Sequence, residues 1–247
     1  MEILSQFLLR LAFGLAVGMA ITSPKKVTSG FFRNHLYVTL GLATLAALAL
    51  MKLDTQAMWF AAAAAALSFV GAACWLYESA RAGKIALWLV AACAYVAAVL
   101  SQHSSQAGSN IAHEIAIANS GLVLGIVFAA MLLGHWYLNA PGMELAPLRR
   151  LLIVAAIAIV AQMFVVGVGL GAEWSHRPDV RVGWLLFVAL RWSFGLFFVL
   201  GLLWMAWETL KIPNTQSATG ILYVAVIGVF IGELTGLLLS AESMYPL

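Results

Sequence analysis

Apolar runs long enough to cross a lipid bilayer recur along the whole chain and are separated by short polar breaks. A membrane-spanning helix needs roughly 20 apolar residues at about 1.5 Å rise each. On that ruler the pattern predicts eight spans, over 3–22, 35–51, 57–77, 85–101, 115–138, 151–172, 184–209 and 219–240. The breaks carry turn-forming and charged residues: Ser23-Pro24-Lys25-Lys26, Asp54-Thr55-Gln56, Arg81-Ala82-Gly83-Lys84, 102–108, Asn139-Ala140-Pro141-Gly142, His176-Arg177-Pro178-Asp179 and Ile212-Pro213-Asn214. Connections this short leave no room for a catalytic domain outside the membrane. The expected fold is all-α, a single transmembrane helical domain over 1–247.

Composition strengthens that reading. The chain of 247 residues is 64% hydrophobic and 9% charged, where a soluble domain has about 45–50% apolar and roughly 25% charged residues. The expected partners are the lipid bilayer and other protein subunits, and a net charge of +3 gives no support to a nucleic-acid partner. Cys74 and Cys93 both fall inside apolar runs without CxxC or CxxCH spacing, which argues against a disulfide framework, a zinc ribbon and covalent haem attachment. The first run has Glu2 before it and Lys25-Lys26 after it, the wrong flanks for a cleaved signal peptide, so it counts as a span. The alanine run 61–66, with Ala92 and Ala94, is expected to let helix backbones approach inside the bundle.

The distribution of basic residues sets an expected orientation. Lys25, Lys26, Arg33, Arg81, Lys84, Arg149, Arg150 and Lys211 fall on one side, and Lys52, Arg177 and Arg181 on the other. Positive residues favour the cytoplasm, which puts both termini outside, with the plasma (inner) membrane of a bacterium as the expected location. Trp136, Tyr137, Trp184, Trp204 and Trp207 stand where an interfacial aromatic belt would lie.

Three charges fall inside spans. Arg10, Arg191 and Glu233 all lie roughly 10–12 Å in from the outer face. A lone charge at that depth costs at least about 2.5–3.5 kcal/mol, so a buried cluster pairing Glu233 with Arg191, Arg10 or both is the cheaper arrangement. It reads as a structural clamp, an ion or proton path, or a polar patch for quinone, with outward snorkelling of Arg10 as a further option.

Histidines supply the second constellation. His35 and His135 fall at one depth near the cytoplasmic face on different spans, with Gly41 and Gly134 nearby, which permits axial ligation of haem b by two imidazoles. The plainer alternative for Gly134-His135-Trp136-Tyr137 is an interfacial belt. The polar stretch 211–220 ordinarily reads as chain reversal and helix capping. Its donors, Gln216 and Ser217 among them, would also suit a quinone carbonyl or anionic headgroup at the same level. His103, His113 and His176, with Glu114, Glu173 and Asp179, form a weaker metal-site option, and no metal is assigned.

Walker A, GxGxxG, GxSxG and HExxH sequences are all absent, so nucleotide, serine-hydrolase and zinc-protease chemistry lack their usual signatures. The function expected from the residues is a membrane subunit of an electron-transfer assembly that holds haem b or contacts quinone. A small-solute or proton-coupled secondary transporter and a cofactor-free structural subunit are the alternatives.

Overall fold

A computed structural model describes residues 1–52, 55–103, 111–140, 142–176, 181–212, 214–243 and 245–247. All regular structure among these residues is helical. The helices are α1 (Glu2–Ile21), α2 (Ser29–Leu50), α3 (Thr55–Leu76), α4 (Ala80–His103), α5 (Ile111–Asn139), α6 (Ala146–His176), α7 (Val182–Thr209) and α8 (Thr215–Ala241). Seven are long and apolar enough to cross a membrane. The remaining one, α2, has 22 residues, but Arg33, Asn34 and His35 occupy its first two turns and dilute its apolar character.

That helix also starts earlier than the hydrophobic pattern predicts, at Ser29 and not His35. Hydropathy marks where a helix meets lipid, whereas helical hydrogen bonding continues through polar residues until a breaker intervenes. The same effect lengthens α5 to 29 residues and α6 to 31.

The first helix is the hub, 78% buried over its apolar window. It packs against α2, α4 and α5, while α5 in turn meets α6 and α8. Glycine permits the closest crossing: a Cβ on Gly14 would strike the Gly121 carbonyl, and one on Gly125 would strike the Gly14 backbone. These are the GxxxG spacings Gly14–Gly18 and Gly121–Gly125, which bring two backbones together where lipid offers no hydrophobic drive for association. A second such contact sets Gly195 of α7 against Gly232 of α8.

Alanine does the same between α1, α2, α3 and α4, where Ala12, Ala43, Ala64 and Ala94 form one buried cluster. Only part of the alanine run is inside: Ala61 and Ala64 are buried and Ala66 is exposed, as helical periodicity demands. Ala92 is exposed, contrary to expectation, and its turn-mates Ala91, Ala94, Ala97 and Ala98 are the buried ones. Large apolar side chains cover the periphery, including Trp59, Phe69, Phe164, Leu186, Phe197 and Trp204, a surface suited to lipid.

Both chain ends lie at one end of the bundle, called the terminal end below; Met1 and Ala241 line the same recess there. At the opposite end, basic side chains finish helices. The Lys84 ammonium donates to the Ala20 carbonyl and, at 2.6 Å, to the Thr22 carbonyl, while Arg149 Nη2 donates to the Leu210 carbonyl at 2.7 Å. Each places a cation on the carbonyls that the last turn leaves unsatisfied.

Candidate functional site: a buried polar cavity

Near the terminal end, α1, α4, α5, α7 and α8 are tied together by polar side chains inside otherwise apolar helices. Arg191 is 2% exposed and begins a π-helical segment, Arg191–Phe198, within α7. Such segments are rare and occur often at functional sites. Its Nη1 donates to the Gly232 carbonyl at 2.7 Å and its Nη2 lies 3.5 Å from Glu233 Oε1. The guanidinium lies against Gly236, where any side chain would collide with it. Gly228, Gly232 and Gly236 thus recur every fourth residue along the face of α8 that receives α7.

Glu233 is 3% exposed. Its Oε2 accepts a short hydrogen bond from the Ser120 hydroxyl of α5. Ser120 Oγ also accepts from Arg10 Nη1 at 3.2 Å. Arg10 Nε donates to Gln6 Oε1 at 3.1 Å and its Nη2 to Gln102 Oε1 at 3.4 Å. Gln6 passes the chain on, donating at 2.7 Å to the Ala98 carbonyl and to Ser101 Oγ of α4. Arg10, Arg191 and Glu233 therefore stand in one network, with Glu233 ion-paired to Arg191 and joined to Arg10 through Ser120.

The network borders a cavity of about 20 Å³, room for roughly one water molecule. Arg10, Gln102, His113, Gln162, Arg191, Glu233 and Ser240 are among its polar walls, and Pro246 and Leu247 line it as well. Arg191 Nε and His113 Nε2 are buried there without a hydrogen-bond partner. Gln162, 2% exposed, receives at Oε1 a 2.6 Å hydrogen bond from Asn119 Nδ2, which also donates to the Ala158 carbonyl at 3.1 Å. A larger recess of about 340 Å³ opens at the terminal end and shares Arg10, Gln102 and Ser240 with the cavity.

The histidine pair is arranged differently. His35 Nδ1 meets the Phe31 carbonyl of its own helix at 2.6 Å, and its ring lies 4.5 Å from Phe31 and 6.1 Å from Trp136. His135 is exposed, with Nδ1 3.2 Å from the Tyr223 hydroxyl of α8. His35 thus packs edge-on and tilted against aromatic rings, and His135 meets a hydroxyl of α8. The Trp136 indole beside His35 donates to Thr28 Oγ1 at 2.9 Å.

Gln216 and Ser217 are exposed in the first turn of α8. The Ser217 N–H donates to Asn214 Oδ1 at 3.0 Å, so a cap already occupies one of the free donors there. Among the described residues no group of three His, Cys, Asp or Glu is placed to hold a metal. Asp179 and the side chains of His103 and His176 lie outside the described residues.

Charged residues and histidines inside spans stand out in the sequence. Gln6 and Ser120, which complete the network, and the Asn119–Gln162 pair at the cavity do not. Amides and hydroxyls inside predicted spans were the available signal, since a buried polar group in a membrane demands a partner. Known protein families, curated proteins and solved structures offer no match to this chain.

Proposed function

We propose that this chain is an eight-span protein of the bacterial plasma membrane, with both termini outside, that carries a small solute entering from the outer face. The basic residues grouped at the opposite end support the orientation. One observation carries the carrier reading: a polar cavity inside the bundle, walled by buried Arg191, Glu233 and Gln162, adjoins a recess at the terminal end with which it shares Arg10, Gln102 and Ser240. That is the form of a site accessible from one side. Two of the lining residues, Arg191 and His113, keep a buried nitrogen without a hydrogen-bond partner, which leaves polar groups of the wall for a solute to engage.

The test is solute flux. Liposomes holding the purified full chain, challenged with a panel of neutral, cationic and anionic solutes, are expected to take up one class at least about tenfold faster than protein-free liposomes. Gln162→Leu should remove that excess. Uptake equal to protein-free liposomes for every class, with the fold verified, would contradict the proposal.

A second reading, a subunit of an electron-transfer assembly with other protein subunits as partners, is supported by the exposed His135–Tyr223 pair on the lipid side of α5 and α8. Imidazole and phenol there suit a quinone carbonyl better than an axial haem bond. An absorbance spectrum of protein expressed with haem supplied separates the cofactors: a low-spin Soret band lost in His35→Ala and His135→Ala would favour haem b. Co-purified quinone lost in Tyr223→Phe would favour quinone.

A further inference from the structure

The donor inventory of the cavity goes beyond the carrier reading, on which it rests, and identifies the class of solute. We infer that the cavity takes a small monovalent anion, of the size of chloride or formate.

Charge is the first argument. Among the described residues the charged side chains on the cavity wall are Arg10, Arg191 and Glu233, two cations to one carboxylate, so guanidinium groups are the main charged donors there. Hydrogen bonding is the second. Both carboxylate oxygens of Glu233 are engaged, Oε2 by Ser120 and Oε1 facing Arg191 Nη2, so the acid does not invite a cation.

The groups left over are donors. Arg191 has committed Nη1 and Nη2 to Gly232 and Glu233 and retains a buried Nε–H. Because Asn119 donates to Gln162 Oε1, the amide of Gln162 is oriented with its NH₂ as the group still to be used. His113 adds Nε2, a donor in one neutral tautomer and in the protonated ring. Guanidinium, amide and imidazole N–H groups converging on one small space are the chemistry of anion recognition. The volume, about 20 Å³, excludes sugars and amino acids and suits an occupant little larger than one water molecule.

The experiment is thermal unfolding of the full chain in detergent at constant ionic strength, with sodium gluconate, too large to enter, replaced stepwise by sodium chloride or sodium formate. Ligand that binds only the folded state raises the midpoint in a saturable way. Wild type is expected to gain several degrees. Gln162→Glu, which supplies the negative charge from the protein and reverses a donor, should abolish the gain. His113→Phe should weaken apparent affinity at least about tenfold.

A midpoint indifferent to the anion in folded wild type would overturn the inference and leave water as the cavity's occupant. A gain that persists unchanged in both variants would overturn it as well, by assigning the effect to the protein surface. The two proposals fail separately: saturable anion stabilisation without liposome uptake removes the carrier reading and keeps the site, whereas uptake of a neutral solute without anion stabilisation does the reverse.

Discussion

The guanidinium of Arg191 occupies the space that a side chain at Gly236 would need. This one relationship couples the π segment of α7 to the glycine face of α8 and sets the position from which Arg191 reaches both the Gly232 carbonyl and Glu233. Gly236→Ala should therefore displace the guanidinium and strip a buried ion pair, a loss of about 3–5 kcal/mol. Gly171→Ala, with no neighbour near its added carbon, should be neutral or slightly stabilising, and unfolding midpoints in detergent compare the two.

Removing the acid tests the same pair from the other side. Glu233→Gln leaves Arg191 and Arg10 without their shared carboxylate, and the expected cost is again about 3–5 kcal/mol. Glu208→Gln, which breaks an exposed 2.7 Å pair with Lys211, should cost under about 1 kcal/mol. Equal midpoints for the two variants would show that Glu233 does not brace the bundle.

The α1–α5 crossing makes a sharper demand. Gly14→Val and Gly125→Val each set a branched side chain against facing backbone, and overpacking of this kind costs about 1–3 kcal/mol or more. Gly41→Val, where nothing lies near the added carbon, is expected to behave as wild type. Folded yield and unfolding midpoint read the difference.

Much of the bundle was legible from hydropathy, because the membrane imposes a length and a polarity on every span. Helix ends were less legible: Arg33 and Asn34 look like loop residues by polarity, yet α2 begins at Ser29. That Arg10, Arg191 and Glu233 fall at one level along their helices could be read from residue counting alone. Their connection through Ser120 depends on which faces of α1, α5 and α8 meet, and that is fixed by glycine contacts dispersed over the chain. The spacings Gly14–Gly18 and Gly121–Gly125 were visible as motifs, whereas the π segment at Arg191 has no comparable sequence mark. At the other end, equal depth suggested a partnership of His35 and His135. Depth carries no information about the contacts the two rings make, His35 with the Phe31 carbonyl and His135 with the Tyr223 hydroxyl.

Orientation has its own test. A reporter fused after Leu247 should be exposed outside the membrane, and one inserted beside Lys25 should face the cytoplasm. The reverse pattern would invert the bundle and with it the direction from which solute enters.

The most direct test of the account is access to the cavity itself. Ser240 borders both the cavity and the terminal recess. In a background with Cys74 and Cys93 replaced, Ser240→Cys should react with a membrane-impermeant thiol reagent added outside intact cells, and chloride should slow the reaction more than gluconate. Labelling only from the cytoplasmic side, or no labelling of a verified fold, would contradict a polar site that opens outward.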